Sequence, residues 1–196
     1  MVARTDDGET EWMDAAELPV PGEHTLANAL AAGLAALLAG CPTEAVAEGL
    51  RGYRGLPHRL ERVGEVDGVL FYNDSKATNP AAAEEALRSF EPGRVHLILG
   101  GKDKGTDWES FAPTVGRHAR QVLLVGLAAK ALRPALAGVT PLQDCGTVRR
   151  AVETAFADAE PGDVVLLAPA CASFDQYRNF EERGEDFRAA VEALNA

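Results

Sequence analysis

The sequence predicts a doubly wound α/β fold with a mostly parallel sheet, and three observations carry that expectation. From residue 68 onward, short apolar runs alternate with segments of helical length, the pattern of βαβ crossovers. Two of the runs, Val95-His-Leu-Ile-Leu99 and Asp163-Val-Val-Leu-Leu-Ala168, are almost continuously apolar, as strands buried on both faces of a parallel sheet must be. Between the first run and the helix after it stands Asn79-Pro80. The asparagine can cap a helix, and the proline fits its first position, where a missing N–H costs nothing.

In chain order, residues 1–23 read as polar extended chain with one or two strands, closing at Pro19-Val-Pro21-Gly22. Helical patterns follow over 25–39 and 43–51, broken by Gly40-Cys41-Pro42, with Thr43 and Glu44 opening the second. The breaker-rich Tyr53–Arg59 stretch marks a domain boundary, giving 1–56 and 57–196. Beyond it, strands are expected at 68–73, 95–100, 121–126 and 163–168, with a weaker one at 139–143. Helices are expected at 80–90, 108–118, 128–137, 147–159 and 181–194.

Composition narrows the function. A hydrophobic content of 46% with 25% charged residues is that of a globular chain, and the net charge of −11 argues against nucleic acid and anionic membranes as partners. Three cysteines with no C-x-x-C spacing give neither a metal signature nor a disulfide framework, so a reduced, cytoplasmic setting is expected. The apolar stretch Leu26–Ala39 is too short to span a bilayer, and the acidic residues ahead of it are wrong for an export signal. Neither a G-x-x-x-x-G-K-[ST] loop nor any G-x-G occurs, so no self-sufficient nucleotide-hydrolysing or dinucleotide-binding domain is expected.

The chemistry gathers at three strand ends. Asn73-Asp-Ser-Lys-Ala-Thr-Asn79 follows the first strand of the regular pattern, Gly100-Gly-Lys-Asp-Lys-Gly105 the second, and Pro169-Ala-Cys-Ala-Ser173 the last. In a parallel sheet these ends share one edge, so loops distant in sequence can converge on one crevice. Of the four lysines, Lys76, Lys102 and Lys104 lie on these loops, which points to an anionic guest, carboxylate or phosphate. The glycine pair lets backbone approach a ligand closely. No nucleophile elbow surrounds Ser173, which suits a hydrogen-bond donor to a carboxylate, and Cys171 reads as a packed thiol. His96 and His118 read as structural, while His24 and His58 stand where either a ligand contact or a turn residue would fit. Asp175 and Glu181-Glu182 read as the acidic start of the last helix.

Together with Gly55-Leu-Pro-His-Arg59 and Asn179-Phe-Glu-Glu-Arg-Gly184, these motifs resemble the Mur ligases over nearly the whole chain. That family has a UDP-binding N-terminal domain, a central ATPase domain with the phosphate loop, and a C-terminal Rossmann-like domain. The resemblance implies that 57–196 is the C-terminal amino-acid-binding domain and that 1–56 is the tail of the central domain. It implies an ATP-dependent, ADP-forming ligase of peptidoglycan synthesis. The substrate carboxylate is phosphorylated by ATP, and an amino acid's amine then attacks the acyl phosphate. The Asp-Ser-Lys-Ala-Thr-Asn and Ala-Cys-Ala-Ser motifs resemble most the branch that adds D-glutamate to UDP-N-acetylmuramoyl-L-alanine. By resemblance, Thr78, Lys104 and Ser173, with backbone at Phe174 and Phe180, hold D-glutamate. Arg59, Asp74 and Lys76 face ATP, and His24 and Asn28 belong to the nucleotide-base motif, in which Thr25 replaces the usual Asn. The resemblance implies ATP as co-substrate and Mg2+ bound mainly by the family's other domains, and because the phosphate loop is absent from this sequence, the chain alone is expected to be inactive. A free-standing small-acid or partner-binding module and another Mur or folylpolyglutamate-type ligase are the alternatives.

Overall fold

The computed structural model describes residues 1–5 and 8–195 and divides into two compact units, Met1–Gly55 and Leu56–Ala196. In the first, β1 (Val2–Thr5) and β2 (Gly8–Glu11) pair antiparallel. A one-turn 3-10 helix, Ala15–Glu17, is closed by a capping box in which Asp14 accepts from Ala16 N–H and Glu17 accepts from Asp14 N–H. Two helices follow, α1 (Glu23–Leu38) and α2 (Thr43–Arg51). None of the helices among the described residues is long and apolar enough to cross a membrane.

The second unit is built on a six-stranded sheet. Its strands are β3 (Glu61–Val66), β4 (Val69–Asn73), β5 (Val95–Gly100), β6 (Ala119–Val125), β7 (Leu142–Gly146) and β8 (Val164–Leu167), in the order β3-β4-β8-β5-β6-β7. Every pairing is parallel except β3 with β4. The crossovers are α3 (Pro80–Arg88), α4 (Ala112–His118), α5 (Ala129–Ala135) and α6 (Val148–Asp158), and α7 (Phe180–Glu192) follows the last strand.

Alternation along the buried strands creates two cores. Leu97, Leu99, Val122, Leu124 and Leu166 pack with Leu87 of α3, Val115 of α4 and Leu132 of α5. Phe71, Ile98, Leu123, Val165 and Leu167 face the other way, against Val148 and Val152 of α6 and Phe187 and Val191 of α7. This is the doubly wound arrangement the apolar runs predict. Asn79 caps α3 by accepting from Ala82 N–H, 3.0 Å, with Pro80 in the first turn.

α4 starts at Ala112, four residues later than expected, and β6 runs over Ala119–Val125; the larger differences lie at the sheet's margins. The weak strand expected at 139–143 runs from Leu142 to Gly146, because an edge strand can be half polar and carries no strong apolar signal. β3 was not expected at all. Its partner is reached through a tight turn at Asp67-Gly68 with φ of 50° and 79°, the left-handed pair typical of a two-residue hairpin.

Below the first residues of β5, β6 and β7 lies a buried polar network. Asp163, wholly buried, faces His96 Nε2 at 3.1 Å, Arg94 at 3.1 Å and Arg120 at 3.3 Å, and accepts from Glu160 N–H. Gln121 donates to His96 Nδ1 at 2.8 Å and to Asp158 at 3.2 Å, and Gln143 donates to Gln121 Oε1 at 3.0 Å. The chain of partners fixes the proton of neutral His96 on Nε2. Burial by itself would raise the Asp163 pKa, but the hydrogen bonds from Glu160, His96 and Arg94 and the charge of Arg120 outweigh it and hold the carboxyl below its usual range. His96 is therefore structural, as its position in a strand suggests.

Candidate functional site

Because β8 lies between β4 and β5, the three chemically loaded loops leave neighbouring strand ends. The loop after β4 leads to α3 on one face, whereas the loop after β8 leads to α7 on the other. Connections therefore depart to opposite faces at the carboxyl ends of these strands, the position of the ligand-binding crevice in open α/β sheets. The loops are joined by backbone hydrogen bonds. Asp74 N–H donates to Leu167 O at 2.8 Å, Gly100 N–H to Pro169 O at 2.9 Å, and Lys102 N–H to Ala172 O at 2.8 Å.

The glycine pair has a different physical cause from the one expected of it. Gly101 has φ 138°, and a Cβ there would collide with Ala172 O and lie 3.2 Å from Arg183 Nη1. Close approach is demanded by the neighbouring loop rather than by a guest. Ala170 adds a left-handed φ of 54° without being glycine, a conformation that surrounding structure must impose.

At one side of the crevice, Arg59 sits between two residues held left-handed, His58 (φ 61°) and Leu60 (φ 43°). His58 is buried, settling what the sequence leaves open. Its carbonyl accepts from Lys76 N–H at 3.1 Å, and its Nδ1 lies 3.0 Å from Asn73 Nδ2. Asn73 Oδ1 accepts from Ser75 N–H, so the amide nitrogen faces His58, and Nδ1 is the unprotonated acceptor. A Cβ on Gly184 would collide with this imidazole, which explains the glycine in the Asn179–Gly184 motif. The histidine thus presents Arg59, which is exposed, beside Asp74. Burial pushes the Asp74 carboxyl up to about 6, against the opposing effects of a hydrogen bond from Leu60 N–H and the charge of Arg59.

On the same loop the Lys76 ammonium lies 4.0 Å from the centre of the Phe180 ring, and Thr78 is half-buried. Across the crevice, Ser173 is 2% exposed. Asp103 Oδ1 accepts from Lys104 N–H at 2.7 Å and Thr106 N–H at 3.1 Å, which fixes the turn that carries the exposed Lys104. Phe174 projects outward, 66% exposed, while Phe180 opens α7. Cys171 is buried and its thiol is pushed up to about 12, first by desolvation and then by Asp103, so it is inert at neutral pH.

One expectation is corrected. Asp175 is not in the first turn of α7, which begins at Phe180 with Glu181 and Glu182; its carboxylate accepts from Leu127 N–H at 2.9 Å and joins the loop after β8 to that after β6. His24 and Asn28 belong to the other unit, exposed one turn apart on α1. Thr25 is buried between them, and its hydroxyl donates to Pro21 O at 3.0 Å. Arg183, one arginine in an acidic stretch with no local signal of its own, is 1% exposed, and its guanidinium makes three hydrogen bonds, to Ser75 Oγ (2.9 Å), Ser75 O (2.8 Å) and Cys171 O (3.1 Å). Desolvation lowers its pKa to about 10, so it stays a cation at neutral pH. Among the described residues, no three His, Cys, Asp or Glu side chains come together to hold a metal ion.

A doubly wound domain with three loops joined at its switch point, two of them bearing lysines, places the chain among open α/β domains. The family described as Mur ligase, glutamate ligase domain, matches residues 58–171, and the chain belongs to that family. It is 48% identical over 187 residues to the UDP-N-acetylmuramoylalanine–D-glutamate ligase of Acidobacterium capsulatum, covering 95% of this chain and 40% of that protein. To the enzyme of the same name from Solibacter usitatus it is 49% identical over 182 residues, covering 93% of this chain and 41% of that protein. The chain therefore spans about two-fifths of the length of these curated relatives. The crystal structure of UDP-N-acetylmuramate–alanine ligase from Thermotoga maritima matches with a TM-score of 0.68 at 19% identity, over 90% of this chain and 40% of that one. That likeness establishes a shared fold.

Proposed function

We propose that this chain supplies the amino-acid grip of an ATP-dependent ligase that joins D-glutamate to UDP-N-acetylmuramoyl-L-alanine. The observation that carries the reading is the meeting of the loops after β4, β5 and β8 in one crevice, with Thr78, Lys104 and Ser173 on separate loops. The names of the relatives at 48% and 49% identity select D-glutamate among small acids.

In this reading Lys104 and the hydroxyls of Thr78 and Ser173 bind the carboxylates of D-glutamate, with backbone at Phe174 and Phe180 completing the grip. The amine is left free to attack the carbonyl carbon of an acyl phosphate, whose phosphate then leaves. Arg59, Asp74 and Lys76 form the side of the crevice turned toward ATP, where a guanidinium and an ammonium would offset charge on the transferring phosphoryl group. His24 and Asn28 would contact the nucleotide base. Residues 1–56 would be the end of a central ATPase domain, and the phosphate cradle and Mg2+ ligands would lie outside these 196 residues. On that division, purified residues 1–196 show no ligation alone.

The test is titration of the chain with D-glutamate, followed by NMR of the loop amides. A charge-assisted hydrogen bond contributes about 1.5–3 kcal/mol and a neutral hydroxyl about 1. Lys104→Ala should therefore weaken binding more than tenfold, against roughly fivefold for Ser173→Ala or Thr78→Ala. Equal, negligible effects from all three would reject the pocket. The division of the chain has its own check. Residues 57–196 hold both cores of the larger unit, so they should fold alone with native circular dichroism and protected amides. An unfolded 57–196 would move the boundary.

A further inference from the structure

Arg183 is the one buried group of the Asn179–Gly184 motif to which the proposed function gives no task. It is 1% exposed, and all its hydrogen bonds are made to the loops themselves. Its three hydrogen bonds go to neutral oxygens, one of them a hydroxyl and two of them carbonyls. Among the described residues no carboxylate forms a salt bridge with it; Asp175, whose charge favours the cation from farther off, is hydrogen-bonded to Leu127 N–H, and buried charges are ordinarily paired more closely. Its acceptors lie on two different loops: Ser75 after β4 and Cys171 after β8. Gly101, on the third loop, lies so close that an added Cβ would stand 3.2 Å from Nη1. Ser75 passes the linkage on, since its hydroxyl donates to Phe180 O at 2.7 Å while accepting from Arg183. The planar fork of a guanidinium suits this task, because its N–H groups reach several acceptors in fixed relative directions. A fully apolar side chain would leave two carbonyls and a hydroxyl without their donors.

We propose that Arg183 is the positioning residue of the crevice: its guanidinium locks the loops after β4 and β8 together beneath the ligand, and the bound carboxylate adds a second anion to the more distant charge of Asp175. The second half rests on the D-glutamate reading above, and the first half does not. The charge acts through space on the ligand, and the fork acts through the loops that carry Thr78 and Ser173.

The experiment compares the wild-type chain with Arg183→Met and Arg183→Lys, by amide hydrogen exchange without ligand and by titration with D-glutamate. In R183M, exchange at the amides of Asp74, Ser75 and Lys102 should accelerate at least tenfold, while the amides of Val122 and Asp163 at the far edge keep their wild-type rates. D-Glutamate should bind at least tenfold more weakly. R183K keeps a cation without the fork, so part of the affinity should return while the loops stay fast, a split that a packing role alone would not give. R183M binding within twofold of wild type, or R183K no better than R183M, would overturn the charge role and leave the D-glutamate reading standing. If the wild type takes up no D-glutamate, that reading falls together with the claim that a ligand completes the charge. Exchange then decides the rest: accelerated loops uphold the lock, and unchanged loops overturn it. Should R183M not fold, R183K replaces it, and wild-type exchange together with wild-type binding in R183K would overturn the proposal.

Discussion

The two edges of the six-stranded sheet treat polar groups in opposite ways. Where the strands begin, Asp163 meets His96, Arg94 and Arg120, and Gln121 links His96 to Asp158 and Gln143. Where they end, Arg183 is buried with hydrogen-bond partners that are all neutral among the described residues, Asp74 is half-buried beside Arg59, and Lys104 stands exposed on a turn. One edge pairs its charges within the protein, and the other leaves Lys104 and Arg59 exposed, as the proposed contacts with D-glutamate and ATP require. The contrast distinguishes a buried network that stabilises the fold from one that holds a site in readiness, and each can be tested by whether a substitution moves stability or binding.

The largest effect should come from the paired edge. Asp163→Ala leaves the buried His96 Nε2 and the Glu160 N–H without their acceptor and should cost about 2–4 kcal/mol, while the partly exposed Arg94 and Arg120 can turn to water. Urea unfolding at pH 7 measures it. D-Glutamate binding by the remaining folded protein should stay within twofold of wild type. A variant of full stability and lost binding would erase the distinction between the edges.

At the other edge, a substitution should stabilise. The Asp74 carboxyl titrates near 6 in the folded chain, above its ordinary 3.8. Between these values the folded state binds more protons than the unfolded state, so this group's contribution to stability falls as pH rises through that window. Above it, the buried carboxylate costs about 2–3 kcal/mol. Asp74→Asn should therefore raise the unfolding free energy by about that amount at pH 7, with the gap closing below pH 4. Asp163, whose pKa is lowered, acts in the opposite sense at more acidic pH, so the reading must be the difference between wild type and D74N. A gap that does not change with pH would show that Asp74 is not the group titrating there.

The same contrast explains how far the sequence could be read. Continuous apolar strands and the Asn79-Pro80 start are local signals: β5 has its expected bounds and α3 starts at Pro80, while β8 is a residue shorter at each end than expected and α3 ends at Arg88. Edge strands β3 and β7 were missed or displaced because water, not a second sheet face, covers much of them; the Asp67-Gly68 turn was the available sign of β3. The convergence of the three loops followed from parallel strands alone, and the family assignment followed from their motifs. Partners could not be read. Asp175 resembles a helix-start acid until Leu127, distant in sequence, is seen to donate to it, and an arginine among acidic residues looks solvated until α7 buries it. A side chain's partner depends on tertiary distance, which no single stretch of sequence encodes.

The smallest expected effect makes the sharpest comparison. Lys76 is exposed, and its one close partner is the Phe180 ring, 4.0 Å from the ammonium. A cation over an aromatic face at a solvated position contributes about 0.5–1 kcal/mol. Lys76→Met keeps the apolar stem over the ring and removes only the charge, so it should lower stability by no more than about that amount. In a Phe180→Leu background the same substitution should change stability by almost nothing, because the ring that the charge interacts with is gone. The backbone of this loop is held independently, by Lys76 N–H to His58 O and by Ser75 through Arg183, so the loop should keep its amide protection without the ammonium. A loss above about 2 kcal/mol would make Lys76 a structural member of the edge. The division between a paired edge for stability and an open edge for binding would then fail at that residue.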